Sequence, residues 1–183
     1  KEEGTVEGPY FENGDYRLAK LIKIENRPDS VEARQILLQI NNNDTLVYQS
    51  DSFPMQSVSD LILIAEKLKE HVENAFENEK DSIFGEIANL YSKDPRNTPP
   101  KGGDLGWFTE GGNVLEFDDA CFTAEIGELK IVTTEYGVHL VNITDMTKPI
   151  PKYKIAYLDK EVVASEITGD IIEKNAKDFK NKA

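Results

Sequence analysis

Apolar and polar residues alternate over VEARQILLQI, residues 31–40. Ile36, Leu38 and Ile40 share one face of an extended chain, and Ala33, Gln35 and Leu37 share the other, which predicts a strand. Residues 41–57 are polar, with a possible short strand at TLVY. From Ser57 the period changes. Leu61, Ile64, Ala65, Leu68, Val72, Ala75 and Phe76 form one stripe at helical spacing, and Ser57-x-x-Asp60 reads as its capping box. His71 falls on the edge of that stripe, as on a solvated flank. A second helix is expected from about Ser82, with Phe84, Ile87, Ala88 and Tyr91 on one face, ending before Pro95. LKIVTT, a turn at residues 135–137 and VHLVNIT predict an antiparallel hairpin, with His139 on the face of Val141 and Ile143.

The flanks carry their own signals. TVEGPYF and YRLAKLIKI are joined through Asn13-Gly14, a strong hairpin turn. ENRPDS, residues 25–30, reads as a linker, and Pro149 and Pro151 mark a second boundary. KYKIAYL reads as a strand, and residues 165–179 as a polar, weakly amphipathic helix. The expected division is 1–28 as a hairpin and linker from a preceding domain, 29–147 as the main domain, and 148–183 as a strand and helix leading to a further domain. The fold class is α+β with a mostly antiparallel sheet.

Between the second helix and the hairpin lies GGDLGWFTEGGNVLEFDDACF, residues 102–122. It has no hydrophobic period. Glycines at 102, 103, 106, 111 and 112 permit positive φ, and Leu105, Trp107, Phe108, Phe117 and Phe122 supply apolar mass. The stretch reads either as a packed loop or as a shallow apolar pocket built on turns, with a short helix near FDDACF. The acids Asp118 and Asp119 suit the start of that helix.

GGDLGWF, then EFDDACF, then GEL, then TTEYGVHLVNI resemble, in order and spacing, the parvulin family of peptidyl-prolyl cis–trans isomerases. The resemblance covers residues 29–147. It implies a parvulin (FKBP-like) fold, a four-stranded antiparallel sheet wrapped by helices, and it implies isomerase activity without metal or cofactor. It puts the polar catalytic set on Gln35, Asp94, Thr134 and His139. The proline pocket falls on Leu105, Asn113 and Phe117, with Tyr136 at an often aromatic position. Taken singly, Asp94 reads as a turn residue before Pro95, His139 as a hydrogen-bonded structural histidine, and Phe117 equally as core or pocket wall. On the pocket reading Phe117→Ala weakens peptide binding without unfolding. Two positions depart from the family pattern: Gln35 stands where it tends to have His, and Asn113 where it usually has Met. On this reading Gln35 lies off the main apolar face and leaves the His139 tautomer less constrained. Gln35→His is then expected to raise kcat/KM about tenfold with little change in stability.

Composition narrows the partners. There are 21 Lys and Arg against 34 Asp and Glu, a net charge of −13, which argues against nucleic acid. One Cys excludes an internal disulfide, and two His with one Cys argue against a zinc site. Cys121 reads as a small buried apolar residue. No apolar run is long enough to cross a membrane. The chain starts at Lys1 and reads as an excised or processed form whose anchoring sequence lies elsewhere. The flanks, RPDSVEARQIL above all, resemble those around parvulin modules of periplasmic SurA/PpiD-type foldases. That resemblance implies bacterial origin, an envelope location, unfolded proline-containing polypeptides as clients and other domains of the same full-length chain as partners. Residues 41–57 contain no Lys or Arg, so phosphopeptide selectivity is not expected. The alternative, drawn from Gln35 and Asn113, is a catalytically weak module that binds peptide as a chaperone or scaffold.

Overall fold

The computed structural model describes all residues except 42–44, 98–100, 162, 164 and 183. Its strands are β1 (Val6–Glu12), β2 (Asp15–Arg27), β3 (Ser30–Leu38), β4 (Thr45–Tyr48), β5 (Asp51–Pro54), β6 (Asp104–Thr109), β7 (Leu129–Thr134), β8 (Gly137–Met146) and β9 (Ile150–Glu161). Its helices are α1 (Val58–Asn74), α2 (Lys80–Tyr91), α3 (Leu115–Phe122) and α4 (Glu166–Lys182), with a short 3-10 turn at Pro95–Asn97. Two compact units result: Asn26–Ile150, and Lys1–Glu25 together with Pro151–Ala183.

The first unit holds an antiparallel sheet in the order β6-β3-β8-β7. Alternation along β3 and β8 divides the core between its two faces. Ile36, Leu38, Val138 and Leu140 pack with Leu61, Ile64 and Leu68 of α1 and Phe84 and Ala88 of α2. On the other face Val31, Ala33, Val141 and Ile143 pack with Phe117, Cys121 and Phe122 of α3. Ser57 caps α1 and Asp60 completes the capping box, as its spacing predicts. The chain is α+β, and its fold is the one the resemblance implies.

Several boundaries differ from the sequence reading. β3 ends at Leu38, and Ile40 is half exposed, because Leu38 pairs with Val138 at the end of the ladder. Gly137 closes that end with φ of 140°; a Cβ there would lie 2.2 Å from the Leu38 carbonyl oxygen. α1 ends at Asn74, leaving Phe76 exposed, and α2 begins at Lys80 rather than Ser82. The 102–122 stretch is not a loop alone: it contains the edge strand β6 as well as α3. The DLGWFT segment hides its strand character because neither face is deeply buried and Trp107 is half exposed. Of its glycines, Gly112 keeps an ordinary φ. Gly103 has no alternative: its φ is +79°, and a Cβ would lie 2.3 Å from the Gln35 carbonyl oxygen.

In the second unit β1, β2 and β9 form a three-stranded sheet, with Asn13 and Gly14 making the β1–β2 turn at positive φ. β2 continues through Glu25 to Arg27, where a linker was expected. The segments before and after the main domain thus share one sheet. None of this unit's described residues is buried.

Among the described residues, the buried hydrophobic ones all lie between Val31 and Ile143. A fragment of residues 29–147 is therefore expected to fold alone. One of residues 26–150 should be roughly 1 kcal/mol more stable. It keeps buried Pro28 and the ion pairs of Arg27 with Glu110 (3.2 Å) and Asp119 (3.1 Å). Urea titration of both fragments checks this; an unfolded 29–147 fragment beside a folded full chain would refute the boundary.

Candidate functional site

The site is assembled where the segment after α2 docks on β3. Lys93 N–H donates to the Leu37 carbonyl (2.8 Å), and Leu37 N–H donates to Ser92 Oγ (3.1 Å). This brings the buried Asp94 carboxylate to Gln35, which is only 1 % exposed. Gln35 Nε2 donates to Asp94 Oδ2, and Gln35 Oε1 lies 2.7 Å from His139 Nδ1. Thr134 Oγ1 lies 2.7 Å from His139 Nε2 and accepts the Tyr136 N–H at 3.1 Å.

The chemistry gives this chain a direction. A carboxylate accepts, so the Gln35 amino group faces Asp94 and its carbonyl faces His139. That carbonyl can only accept, so His139 carries its proton on Nδ1. Nε2 then accepts from the Thr134 hydroxyl. Gln35 therefore constrains the His139 tautomer, contrary to the sequence expectation, because its two ends differ and Asp94 orients them. Gln35 does lie on the face opposite Ile36 and Leu38, but that face is also buried.

Burial pushes the His139 imidazole down to about 4; the Asp94 charge opposes this and Arg96 reinforces it. For Asp94, burial acts to raise the pKa, but hydrogen bonds from Arg96 and Gln35 prevail and hold it below the ordinary carboxylate range. The two groups affect stability in different windows. His139 is depressed relative to its unfolded value of about 6.5, so its contribution is complete above 6.5 and is lost as pH falls toward 4. The shift corresponds to roughly 3 kcal/mol at most. Asp94 is also depressed, so its contribution survives to lower pH and is lost as pH falls through its folded value. Urea unfolding from pH 8 to 5 should show the His139 slope, and His139→Gln should abolish it. An unchanged slope in that variant would refute the assignment.

A cavity of about 320 Å³ opens over this network, lined by Gln35, Arg96, Gly112, Asn113, Val114, Phe117, Tyr136 and His139. The Phe117 ring stands edge-on to His139 with centroids 5.2 Å apart. Of the residues the resemblance singles out, Asn113, Phe117 and Tyr136 thus meet Gln35 and His139 at one cavity, with Asp94 and Thr134 bonded behind it. Leu105 stands apart: it packs half-buried against the α3-side core from β6 and is not among the lining residues.

Four contributors escaped the sequence reading. Arg96 lines the cavity and binds Asp94 through Nε (3.1 and 3.2 Å) and Nη2 (3.1 Å). Its position two residues after Asp94 was the available signal. Asn97 donates to the Ala88 carbonyl and accepts the Lys101 and Gly103 N–H groups, fixing the glycine turn. Val114 supplies apolar wall next to Asn113. Asp118 is buried and does not simply face the helix dipole: it accepts the Gly111 N–H (2.6 Å), the Asn113 N–H (3.4 Å) and Asn113 Nδ2 (2.9 Å). Asp119 instead pairs with Arg27.

A larger cavity, about 380 Å³, lies between the β4–β5 hairpin and α1, with Asp51, Lys67, Glu70 and His71 in its walls. His71 is not a solvated flank there. It is half-buried, and its Nδ1 meets Tyr48 Oη and Gln49 Nε2, because the hairpin folds over the helix. The larger cavity's walls mix these charges with the Tyr48 and Phe53 rings, and none of the residues the resemblance singles out reaches it, so the smaller cavity is the candidate site. Burial and then the Asp118 charge push the Cys121 thiol up to about 12, which fits a packed, unreactive side chain. Among the described residues no three His, Cys, Asp or Glu are grouped to hold a metal ion.

The sequence model of the PPIC-type PPIase (peptidyl-prolyl isomerase) domain matches residues 16–147. This chain belongs to that family. The foldase protein PrsA of Geobacillus sp. (strain WCH70) is 28% identical over 141 residues, covering 76% of this chain and 49% of that protein. The chaperone SurA of Nitrosospira multiformis is 28% identical over 149 residues, covering 78% and 29%. The crystal structure of the peptidylprolyl isomerase PrsA from Bacillus anthracis shares 24% identity at a TM-score of 0.47, over 69% of this chain and 45% of that one. The chain spans half the length, or less, of these relatives. Within the PPIC-type domain, Gln35 and the buried Asp94 fall in the segments that meet behind the cavity.

Proposed function

We propose that this PPIC-type domain accelerates cis–trans isomerisation of Xaa–Pro bonds in unfolded or extended polypeptides. The observation that carries the reading is the directed chain from Asp94 through Gln35 to His139, ending beneath a cavity walled by Phe117 and Val114. The uncatalysed barrier is ~18–20 kcal/mol because the amide has partial double-bond character. No covalent bond need break. The apolar wall would hold the proline ring while the amide twists out of conjugation. The twisted amide carries more charge on its oxygen, and polar groups already aligned at the cavity floor would favour it over the planar ground state. With its pKa near 4, His139 is neutral at ordinary pH and serves as a fixed dipole rather than as an acid. Bringing minutes down to milliseconds takes roughly 6–7 kcal/mol of such preference.

The substrates we propose are not phosphorylated. Residues 41–57 contain no Lys or Arg, and Arg96, the cation in the cavity wall, is bonded to Asp94. An envelope location and a role in folding extracytoplasmic proteins are supported by relatives named foldase and chaperone. No helix among the described residues is long and apolar enough to cross a membrane.

A protease-coupled assay on a proline tetrapeptide tests the proposal. Acceleration above the uncatalysed rate is expected. Peptide binding without acceleration would replace it with the non-catalytic, peptide-holding reading.

A further inference from the structure

The cavity wall contains an amide whose carbonyl oxygen the network does not use. Asn113 lines the cavity, and its Nδ2 is committed to Asp118 Oδ1 at 2.9 Å. Asp118 Oδ2 meanwhile accepts the backbone N–H groups of Gly111 and Asn113. A carboxylate cannot donate, so this contact sets which end of the Asn113 amide faces which way. The carbonyl Oδ1 is left as the unbonded end of an amide that lines the cavity. It has no partner among the described residues and is not one of the buried unpartnered atoms. A residue pinned by a buried acid, with an open acceptor beside an apolar wall, is built to take a donor.

Proline itself has no N–H. In an Xaa-Pro-Yaa peptide whose ring rests on Phe117 and Val114, the donor closest to the ring is the Yaa N–H, joined to the ring carbon through a single carbonyl. The other peptide donor, on Xaa, lies beyond the amide that twists. We infer that Asn113 is a specificity-determining residue whose Oδ1 accepts the N–H of the residue following proline, and that Asp118 is its positioning residue. The site therefore takes proline followed by an ordinary amide and discriminates against proline followed by an ester, an N-methyl amide or a second proline. This inference rests on the isomerase reading for where the ring sits.

The test uses the whole 183-residue chain and two peptides, Ala-Leu-Pro-Phe and the same sequence with an ester in place of the Pro–Phe amide. Affinity is measured by titration, separately from rate. Wild type should bind the amide about fivefold more tightly than the ester, the scale of one net hydrogen bond. Asn113→Met should bind both equally, with ester affinity no weaker than wild type. The variant also cancels any difference between the peptides that does not involve Asn113. Equal affinities in wild type, or the same ratio in both proteins, would overturn the inference. Should Asn113→Met fail to fold, the wild-type comparison still decides: the Asn113 side-chain amide resonances should move with the amide peptide and not with the ester. A preference for the amide in binding, with neither peptide isomerised faster, would leave the acceptor standing and remove the isomerase reading instead.

Discussion

Phe117→Ala is expected to cost about 3–5 kcal/mol of stability and to weaken proline-peptide binding as well. The ring is 2 % exposed. It packs with Phe108 (6.3 Å between centroids) and His139 (5.2 Å) and belongs to the cluster of Cys121, Phe122, Val141 and Ile143. Its remaining surface lines the candidate cavity. The expectation from sequence was weaker binding without unfolding, with core and pocket wall as alternatives for Phe117; here one ring is both buried and at the cavity, so both effects are expected. Phe117→Leu separates the roles. Leucine keeps much of the apolar volume and should cost only about 1–2 kcal/mol, but it cannot present a flat face to a proline ring. Denaturant unfolding and peptide titration of both variants check this. If Phe117→Leu loses stability while its peptide affinity equals wild type, the ring is core only and the pocket assignment falls.

Gln35→Met is the second large effect, expected to cost about 2–4 kcal/mol and to lower kcat/KM by tenfold or more. Methionine matches the shape but supplies neither end of the bridge. His139 Nδ1–H loses its acceptor, and Asp94 loses one of its donors, where all three residues are buried. The His139 tautomer is then released. The ¹⁵N signals of its ring should show protonation at Nδ1 in wild type and a mixture in the variant. A merely structural Gln35 would change stability without changing that signature. Gln35→His, expected from sequence to gain about tenfold, should instead remain within a few-fold of wild type. A ring at 35 can donate to Asp94 and accept from His139, repeating what glutamine already does.

Much of this site was legible because the strand period is two. Alternation alone places His139 with Val141 and Ile143, and Gln35 with Ala33, and these prove to share the α3 side of the sheet. Helical spacing likewise identified Leu61, Ile64, Leu68 and Phe84 as core. What local pattern missed was non-local. β6 is a strand because β3 offers it a ladder, not because DLGWFT alternates. Asp118 looked like an acid for a helix dipole and turned out to hold the loop at Gly111 and Asn113. Arg96 gained its place from the fold of a 3-10 turn around Asp94.

By itself, the order of residues determined the α+β class, the capped helix α1, the β7–β8 hairpin and the family to which residues 16–147 belong. These follow from periodicity, capping and motif spacing, which act over a few residues and are written in the chain. Only the tertiary structure decided that Gln35 bonds Asp94 and His139 at once, that Val114 joins Asn113 in the cavity wall, and that burial pushes the His139 imidazole below its ordinary range. Each of these depends on which groups are brought together out of water. Hydrogen-bond direction and desolvation are properties of that assembled environment, and no residue carries them alone.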